Sequence, residues 1–197
     1  MATNEWDAFA DSWDSNDLTS LYADRAHAAL TDIITLRDLR VLDFGCGTGL
    51  LTEKMSPNAE HIVALDGSVK MVERLKQKAL PNVSPIADFL TPEFVRSAPL
   101  LQEKFDLITA SSVCAFLPDY AETLRLLRSV LKPTGIYAQW DWLLTEPDAG
   151  NGFTKVDVRQ ALDRAGFSEI SLSQPFVIED SNATLPVLMA VARNGES

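Results

Sequence analysis

A chain of 197 residues, 46% hydrophobic and 23% charged, has the size and balance of one ordinary globular domain. Its 28 acidic and 17 basic residues give a formal net charge of -11, which repels phosphate backbones, and no Lys/Arg cluster exceeds a pair, so nucleic acid is an unfavourable partner. No apolar run approaches the roughly eighteen residues of a membrane span, and the N-terminus lacks the basic start and apolar core of a signal peptide; a cytoplasmic protein without a membrane partner is expected.

Along the chain, Trp6, Phe9 and Trp13 recur at helical spacing on an acidic segment, and Leu18, Leu21, Tyr22, Ala29 and Leu30 continue the stripe. This predicts two helices ahead of the first strand, with residues 1–36 docking on the domain or forming a lid over its ligand. From residue 40 to 193 the runs "RVLDF", "HIVAL", "NVSPI", "FDLITA" and "GIYAQW" are short and rich in Val, Ile, Leu and aromatics. Each is followed by a loop and, in most cases, a helical pattern. That alternation predicts an α/β fold, doubly wound about a mostly parallel sheet.

Asp119 is placed to cap a helix carrying Tyr120, Leu124, Leu127 and Leu131, with Glu122 positioned for a capping box and Lys132-Pro133 as its stop. Thr154 and Asp157 open another helix, with Val158, Ala161, Leu162 and Ala165 on one face and Gly166 at its end. "SEISLS" and "PVLMAVAR" read as two further strands, "PFVIEDSNATL" between them as an irregular or partly extended connection, and "TEPDAGNGF" as a surface loop inside a single domain, 1–197. Cys46 and Cys114 lack metal-ligand spacing and are expected to be buried and reduced.

The stretch "VLDFGCGTGLLTEKM" places Gly45, Gly47 and Gly49 directly behind the first strand. A strand running into such a turn and then a helix brings bare backbone N–H groups to the carboxyl edge of a sheet, a place for an anionic or polar group. An NTP phosphate is ruled out because Leu50 and Leu51 stand where Lys and Ser/Thr are required. A dinucleotide is disfavoured because the third glycine arrives one residue early, and it leaves Asp43 without a use. That acid, costly to desolvate inside an apolar strand, should bind either turn N–H groups or a cationic ligand. The amino-acid end of S-adenosylmethionine is the remaining candidate. Asp66 ends the second strand, where a carboxylate can hold both ribose hydroxyls or cap the next helix; Ser68 already serves as a cap. In "ADFL", Asp88 can accept from an adenine amino group while Phe89 packs beside the ring.

On these segments the chain resembles a class I S-adenosylmethionine-dependent methyltransferase of the small-molecule type. "VLDFGCGTGLLT" is similar to that family's first motif, "IVALDGSVKMVERLKQKA" to its acidic ribose segment and "ADFL" to its adenine segment. "FDLITASSVCAFLPD", "LLRSVLKPTGIYAQW", "VRQALDRAGFSEIS" and "VLMAVARN" follow in the family's order. The resemblance implies a Rossmann-like, seven-stranded sheet in the order three-two-one-four-five-seven-six with the seventh strand reversed. It implies S-adenosyl-L-methionine as cofactor and S-adenosyl-L-homocysteine as product. Asp43, Gly45, Cys46, Gly47 and Gly49 would then meet the methionine end, Asp66 and Gly67 the ribose, Met71 the adenosine, Asp88 and Phe89 the adenine, and Ser111 the cofactor at the end of the fourth strand.

A sulfonium methyl is already activated, so the reaction needs an acceptor held in line and water excluded, with no dedicated catalytic residue and no metal. Many relatives carry His or Glu in the segment matching Cys114, Ala115 and Phe116; this chain has neither. His61 opens the second strand at the wrong edge, and His27 reads as a helix-surface residue. Trp13, Tyr22, Phe116, Trp140, Asp141 and Trp142 are expected to shape the pocket of a small, apolar or cationic acceptor. The alternatives are a catalytically silent cofactor-binding partner protein and an NAD-dependent oxidoreductase.

Overall fold

A computed structural model describes residues 5–146, 150–180 and 183–195. The chain divides into two compact units, Met1–Phe89 and Leu90–Ser197.

The first unit begins with two short 3-10 turns, Glu5–Ala8 and Trp13–Ser15, followed by α1 (Asp17–Thr31). One α-helix thus stands where two were expected. The reason is local: Ser12 Oγ donates to the Phe9 carbonyl, Ser15 Oγ donates to the Ser12 carbonyl, and Asn16 accepts from the Leu18 N–H as the cap of α1. Short polar side chains that take backbone groups this way end a helix before it can propagate. Then come β1 (Arg40–Phe44), α2 (Leu50–Met55), β2 (His61–Asp66), α3 (Val69–Gln77) and β3 (Val83–Ala87).

β2 pairs in parallel with both β1 and β3. Val41, Leu42, Ile62, Val63, Ala64 and Leu65 are fully buried, as expected of a strand pair covered on both faces. Met71, Val72 and Leu75 pack from α3 as its apolar stripe. At the opposite end of these strands from the glycine turn, Arg40 donates to His61 Nδ1 (2.7 Å) and His61 Nε2 bonds Ser84 Oγ (2.9 Å). His61 therefore works as a cross-strand strut, and its place at the wrong edge of the sheet is as expected.

The second unit contains α4 (Pro92–Ser97), β4 (Phe105–Ser111), a 3-10 turn at Cys114–Phe116, α5 (Tyr120–Val130), β5 (Leu131–Trp142), α6 (Lys155–Ala165), β6 (Phe167–Asp180) and β7 (Ala183–Asn194). Asp119 caps α5 by accepting from the Glu122 N–H (2.8 Å), but the Glu122 carboxylate turns outward to Arg125 (2.6 Å) and leaves the capping box half made. Leu131, expected on that helix, is instead the first residue of β5. Thr154 caps α6, and Gly166 closes it in the left-handed conformation at φ 87°.

The segment expected to be an irregular or partly extended connection, "PFVIEDSNATL", is mostly sheet: β6 and β7 pair antiparallel from Phe176↔Val187 to Asp180↔Ala183, with residues 181–182 outside the described residues. Its alternation is interrupted because Pro175, which has no N–H to donate, sits at a break in the register between Ser173 and Phe176. In the predicted surface loop, residues 147–149 lie outside the described residues, and Leu143 bridges Phe153 across it. The strands form one seven-stranded sheet, ordered β3-β2-β1-β4-β5-β7-β6, with β7 antiparallel to its neighbours. This is the doubly wound arrangement that the resemblance implies.

Candidate active site

In the first unit the site residues gather on two turns that follow β1 and β2. Gly45, Gly47 and Gly49 all adopt positive φ (70°, 54° and 84°), a region that L side chains enter only with strain. Their N–H groups, however, are not bare. Those of Gly45 and Cys46 both donate to the Leu65 carbonyl (2.8 and 3.2 Å), Gly47 donates to Asp66 Oδ2 (2.8 Å), and Gly49 donates to the Cys46 carbonyl (2.9 Å). The three glycine N–H groups, expected to be bare, are thus engaged inside the protein, and what the glycines offer a ligand is close approach of the backbone.

The glycines also differ in purpose. A Cβ on Gly47 would meet only Trp13 Nε1 at 4.0 Å, whereas one on Gly49 would lie 2.3 Å from Leu75 Cδ1. Gly49 therefore lets α2 pack against α3, and Gly47 keeps the turn open.

Asp66 is the link between the two turns. Oδ2 accepts from Gly47 and Oδ1 from the Ser68 N–H (2.7 Å), while Ser68 Oγ caps α3 by accepting from Met71 (3.2 Å). Burial pushes the Asp66 carboxyl up, the two N–H donors pull it back, and the nearby Asp7 charge raises it again. Each carboxylate oxygen retains a second lone pair for a hydroxyl donor.

Asp43, 1% exposed, accepts from Thr52 Oγ1 (2.5 Å) on α2. That partner was not among the two expected, and Thr52, nine residues downstream, could have been suspected only from the helix turn that brings it back. Asp88 Oδ1 accepts from the Phe89 N–H (2.8 Å), and the Phe89 ring, 63% exposed, lies over Gly67, where a Cβ would come within 2.5 Å of it. Met71 is buried in the core. Cys46 is half-buried, and its thiol is raised well above its usual range by desolvation and by the Asp66 and Asp43 charges, so it stays protonated.

Of the acceptor-pocket residues in this unit, Tyr22 is buried on α1 and Trp13 is half-exposed, edge-on to Trp6 at 6.0 Å. In the second unit, Ser111 ends β4, and the next residue, Ser112, is strained into the left-handed region (φ 54°) with its N–H on the Trp140 carbonyl. Alternation along β5 sends Trp140 to the face opposite Asp141, where it is fully buried; Trp142 is half-buried and Phe116 is partly exposed.

Sequence reasoning missed the network around Asp141. Cys114 Sγ lies 3.4 Å from Tyr137 Oη; Tyr137 and Tyr120 both donate to Gln139 Oε1 (2.9 and 2.7 Å); Gln139 Nε2 donates to Asp141 Oδ2 (2.8 Å); and the Ala115 N–H reaches Asp141 Oδ1 (3.3 Å). The signal for it was the polar repeat Tyr137, Gln139, Asp141 at every second position of a strand that is otherwise core. With Gln139 Oε1 occupied by two hydroxyls, its amide can only donate to Asp141, and every neighbour of the carboxylate is a neutral donor. Burial nevertheless dominates, raising Asp141 to about 7 against the opposing donors Gln139, Ala115 and Cys114. Burial and the Asp141 charge also push the Cys114 thiol well above its usual range; for the two tyrosine hydroxyls the causes are burial first, then the neighbouring Cys114, with Asp141 contributing.

Residues 42–138 match the family model described as a methyltransferase domain. Over 173 residues the chain is 31% identical to "Probable thiol methyltransferase 2" of Arabidopsis thaliana, covering 85% of this chain and 73% of that protein. The chain belongs to the methyltransferase domain family. A ubiquinone biosynthesis O-methyltransferase of Histophilus somni is 33% identical over 104 residues, covering 51% of this chain and 44% of that protein. The chain spans about half the length of such biosynthetic relatives. Among solved structures, a DhpI–SAH complex shares the fold at TM-score 0.74 and 20% identity, covering 98% of this chain and 94% of that one.

The domain is thus a class I S-adenosylmethionine-dependent methyltransferase, with S-adenosylmethionine as methyl donor and S-adenosylhomocysteine as product. The residues of the first unit fit that cofactor. The turn is open at Gly47, a half-buried carboxylate with free lone pairs stands beside it, and an exposed aromatic face follows one strand further on.

Proposed function

We propose that this domain transfers the methyl group of S-adenosylmethionine to a small-molecule acceptor by in-line displacement. The observation that carries the cofactor assignment is the pairing of Asp66 with Gly47: one carboxylate bonds both turns and keeps a lone pair on each oxygen for a diol. In this reading Asp66 holds the ribose, Phe89 covers one face of the adenine with Asp88 at its amino edge, and the open backbone at Gly45 to Gly47 admits the methionine end. Asp43 acts indirectly, by fixing α2 through Thr52. The cofactor supplies a methyl group already activated on a sulfonium. What the chain adds is orientation and exclusion of water.

A small acceptor is supported by the short excursion between β5 and α6 and by the charge of -11, which disfavours nucleic acid. Relatives named for thiol and for O-methyl transfer point to heteroatom acceptors. On the acceptor side Asp141 can hold a proton near neutral pH, a capacity that the Cys114–Phe116 turn, without His or Glu, does not provide. This also favours catalysis over a silent cofactor-binding role.

Isothermal calorimetry tests the cofactor reading: S-adenosylhomocysteine should bind in the micromolar range and NADH should not compete. A panel of thiol, phenol and amine acceptors, followed by release of homocysteine, tests the chemistry. Binding of NADH in place of S-adenosylhomocysteine would overturn the assignment, and cofactor binding without turnover on any acceptor would favour the silent role.

A further inference from the structure

Residues 5–16 are held to their unit by charge, with little burial. Neither 3-10 turn buries a residue, Ala10 between them is the one buried residue of the segment, and Trp6 packs on Phe9 and Trp13 with centroids 5.9 and 6.0 Å apart. The grip comes from three aspartates. Asp7 accepts from Ser68 Oγ (2.5 Å) and from the Lys70 N–H (3.3 Å) at the start of α3. Asp11 pairs with Arg74 (2.5 Å), and Asp14 pairs with Lys78 (3.0 Å) and accepts from the Thr48 hydroxyl. Lys70, Arg74 and Lys78 recur at every fourth position and so line one face of α3 and its cap, where the last two receive Asp11 and Asp14. The Arg74 guanidinium holds the Asp11 carboxyl below its ordinary range, which keeps this ion pair charged.

The same segment lies over both cofactor turns. Trp13 Nε1 stands over Gly47, Asp14 holds Thr48 of the glycine turn, and Asp7 holds Ser68 of the acid turn, close enough to raise Asp66. We propose that residues 5–16 are a strap, latched on α3 by Asp7, Asp11 and Asp14, that opens to exchange the cofactor and closes to retain it, which makes cofactor residence dependent on ionic strength. The inference rests on the cofactor reading above. Its physical basis is that exposed ion pairs are individually weak and are screened by salt, whereas a segment docked by apolar burial would open only with the fold. Asn16, in extended conformation between the second 3-10 turn and α1, is the pivot.

The test is stopped-flow release of S-adenosylhomocysteine from the full chain, read by tryptophan fluorescence as NaCl rises from about 0.05 to about 1 M, where the Debye length shrinks to about 3 Å. Wild type should release product progressively faster with salt. Asp11→Asn/Asp14→Asn should release it about tenfold faster at low salt and lose most of the salt dependence, a change of roughly 1.4 kcal/mol in the barrier. The charge-exchanged Asp11→Arg/Arg74→Asp should recover slow release. Equal release rates for wild type and the double Asn variant at every salt concentration would overturn the strap. If calorimetry shows no product binding to wild type, the cofactor reading fails separately. The latch is then read by amide exchange of residues 5–16 without ligand: loss of protection in salt and in the double Asn variant supports it, and unchanged protection refutes it.

Discussion

Replacing Asp141 by Asn should flatten a pH dependence that the wild-type fold carries. The carboxyl is 2% exposed, and burial outweighs its three donors, moving it from 3.8 to about 7. A carboxyl whose proton is held more tightly in the folded state contributes most below its unfolded value, and that contribution is lost as the pH rises to the folded value. The window therefore runs from about pH 4 to about pH 7, and the loss, roughly three pH units at 1.36 kcal/mol each, is about 4 kcal/mol. Asparagine cannot ionise, so this component disappears in the variant. The variant also turns one amide N–H toward a donor, either Gln139 Nε2 or the Ala115 N–H, at a pH-independent cost of about 1–3 kcal/mol. Urea unfolding of both proteins, followed by tryptophan fluorescence from about pH 4 to about pH 8, isolates the effect because all other titrating groups cancel in the difference. Wild type minus variant should fall by about 4 kcal/mol across that range, and the variant should gain on wild type at the alkaline end. A difference that stays constant with pH would mean that Asp141 is not a desolvated anion in the folded state, and the argument for a proton held on the acceptor side would go with it.

Two further substitutions separate ligand approach from packing. Asp66→Ala removes the anchor of both turns as well as the ribose contact, and should weaken S-adenosylhomocysteine in calorimetry by at least about tenfold; unchanged affinity would remove Asp66 from the site. Gly47→Val and Gly49→Ala should fail in different ways. The first, which meets only Trp13, should abolish cofactor binding while the cooperative unfolding transition is retained. The second drives a methyl into Leu75 and should lower stability by about 2–4 kcal/mol in denaturant titration; a fully stable Gly49→Ala would mean that α2 and α3 do not pack as described.

Much of the site was legible because its residues sit at strand ends, where topology leaves little freedom. Asp66 closes β2 and Ser68 caps α3, as their order along the chain requires, and Asp119 and Thr154 cap the helices they precede. The misreadings share a cause: a side chain's partner is chosen in three dimensions. For Asp43 only turn N–H groups or a ligand were considered, and the Thr52 hydroxyl was missed because the start of α2 returns Thr52 to the strand. The glycine N–H groups were read as available, yet parallel pairing with β2 places the Leu65 carbonyl and the Asp66 carboxylate against them. Trp140, Asp141 and Trp142 were grouped as neighbours in sequence, though the pleat of β5 sends Trp140 and Asp141 to opposite faces.

Period and punctuation in the sequence alone determine the alternation of strands and helices, the place of the glycine turn and the two acids at strand ends, because hydrophobic spacing and backbone conformation act over a few residues. Tertiary structure alone decides which donors remain for a ligand, how the Asp141 network shares its protons and how three N-terminal aspartates reach Ser68, Arg74 and Lys78. Those outcomes depend on distances and desolvation between segments separated by tens of residues, and no local pattern encodes them.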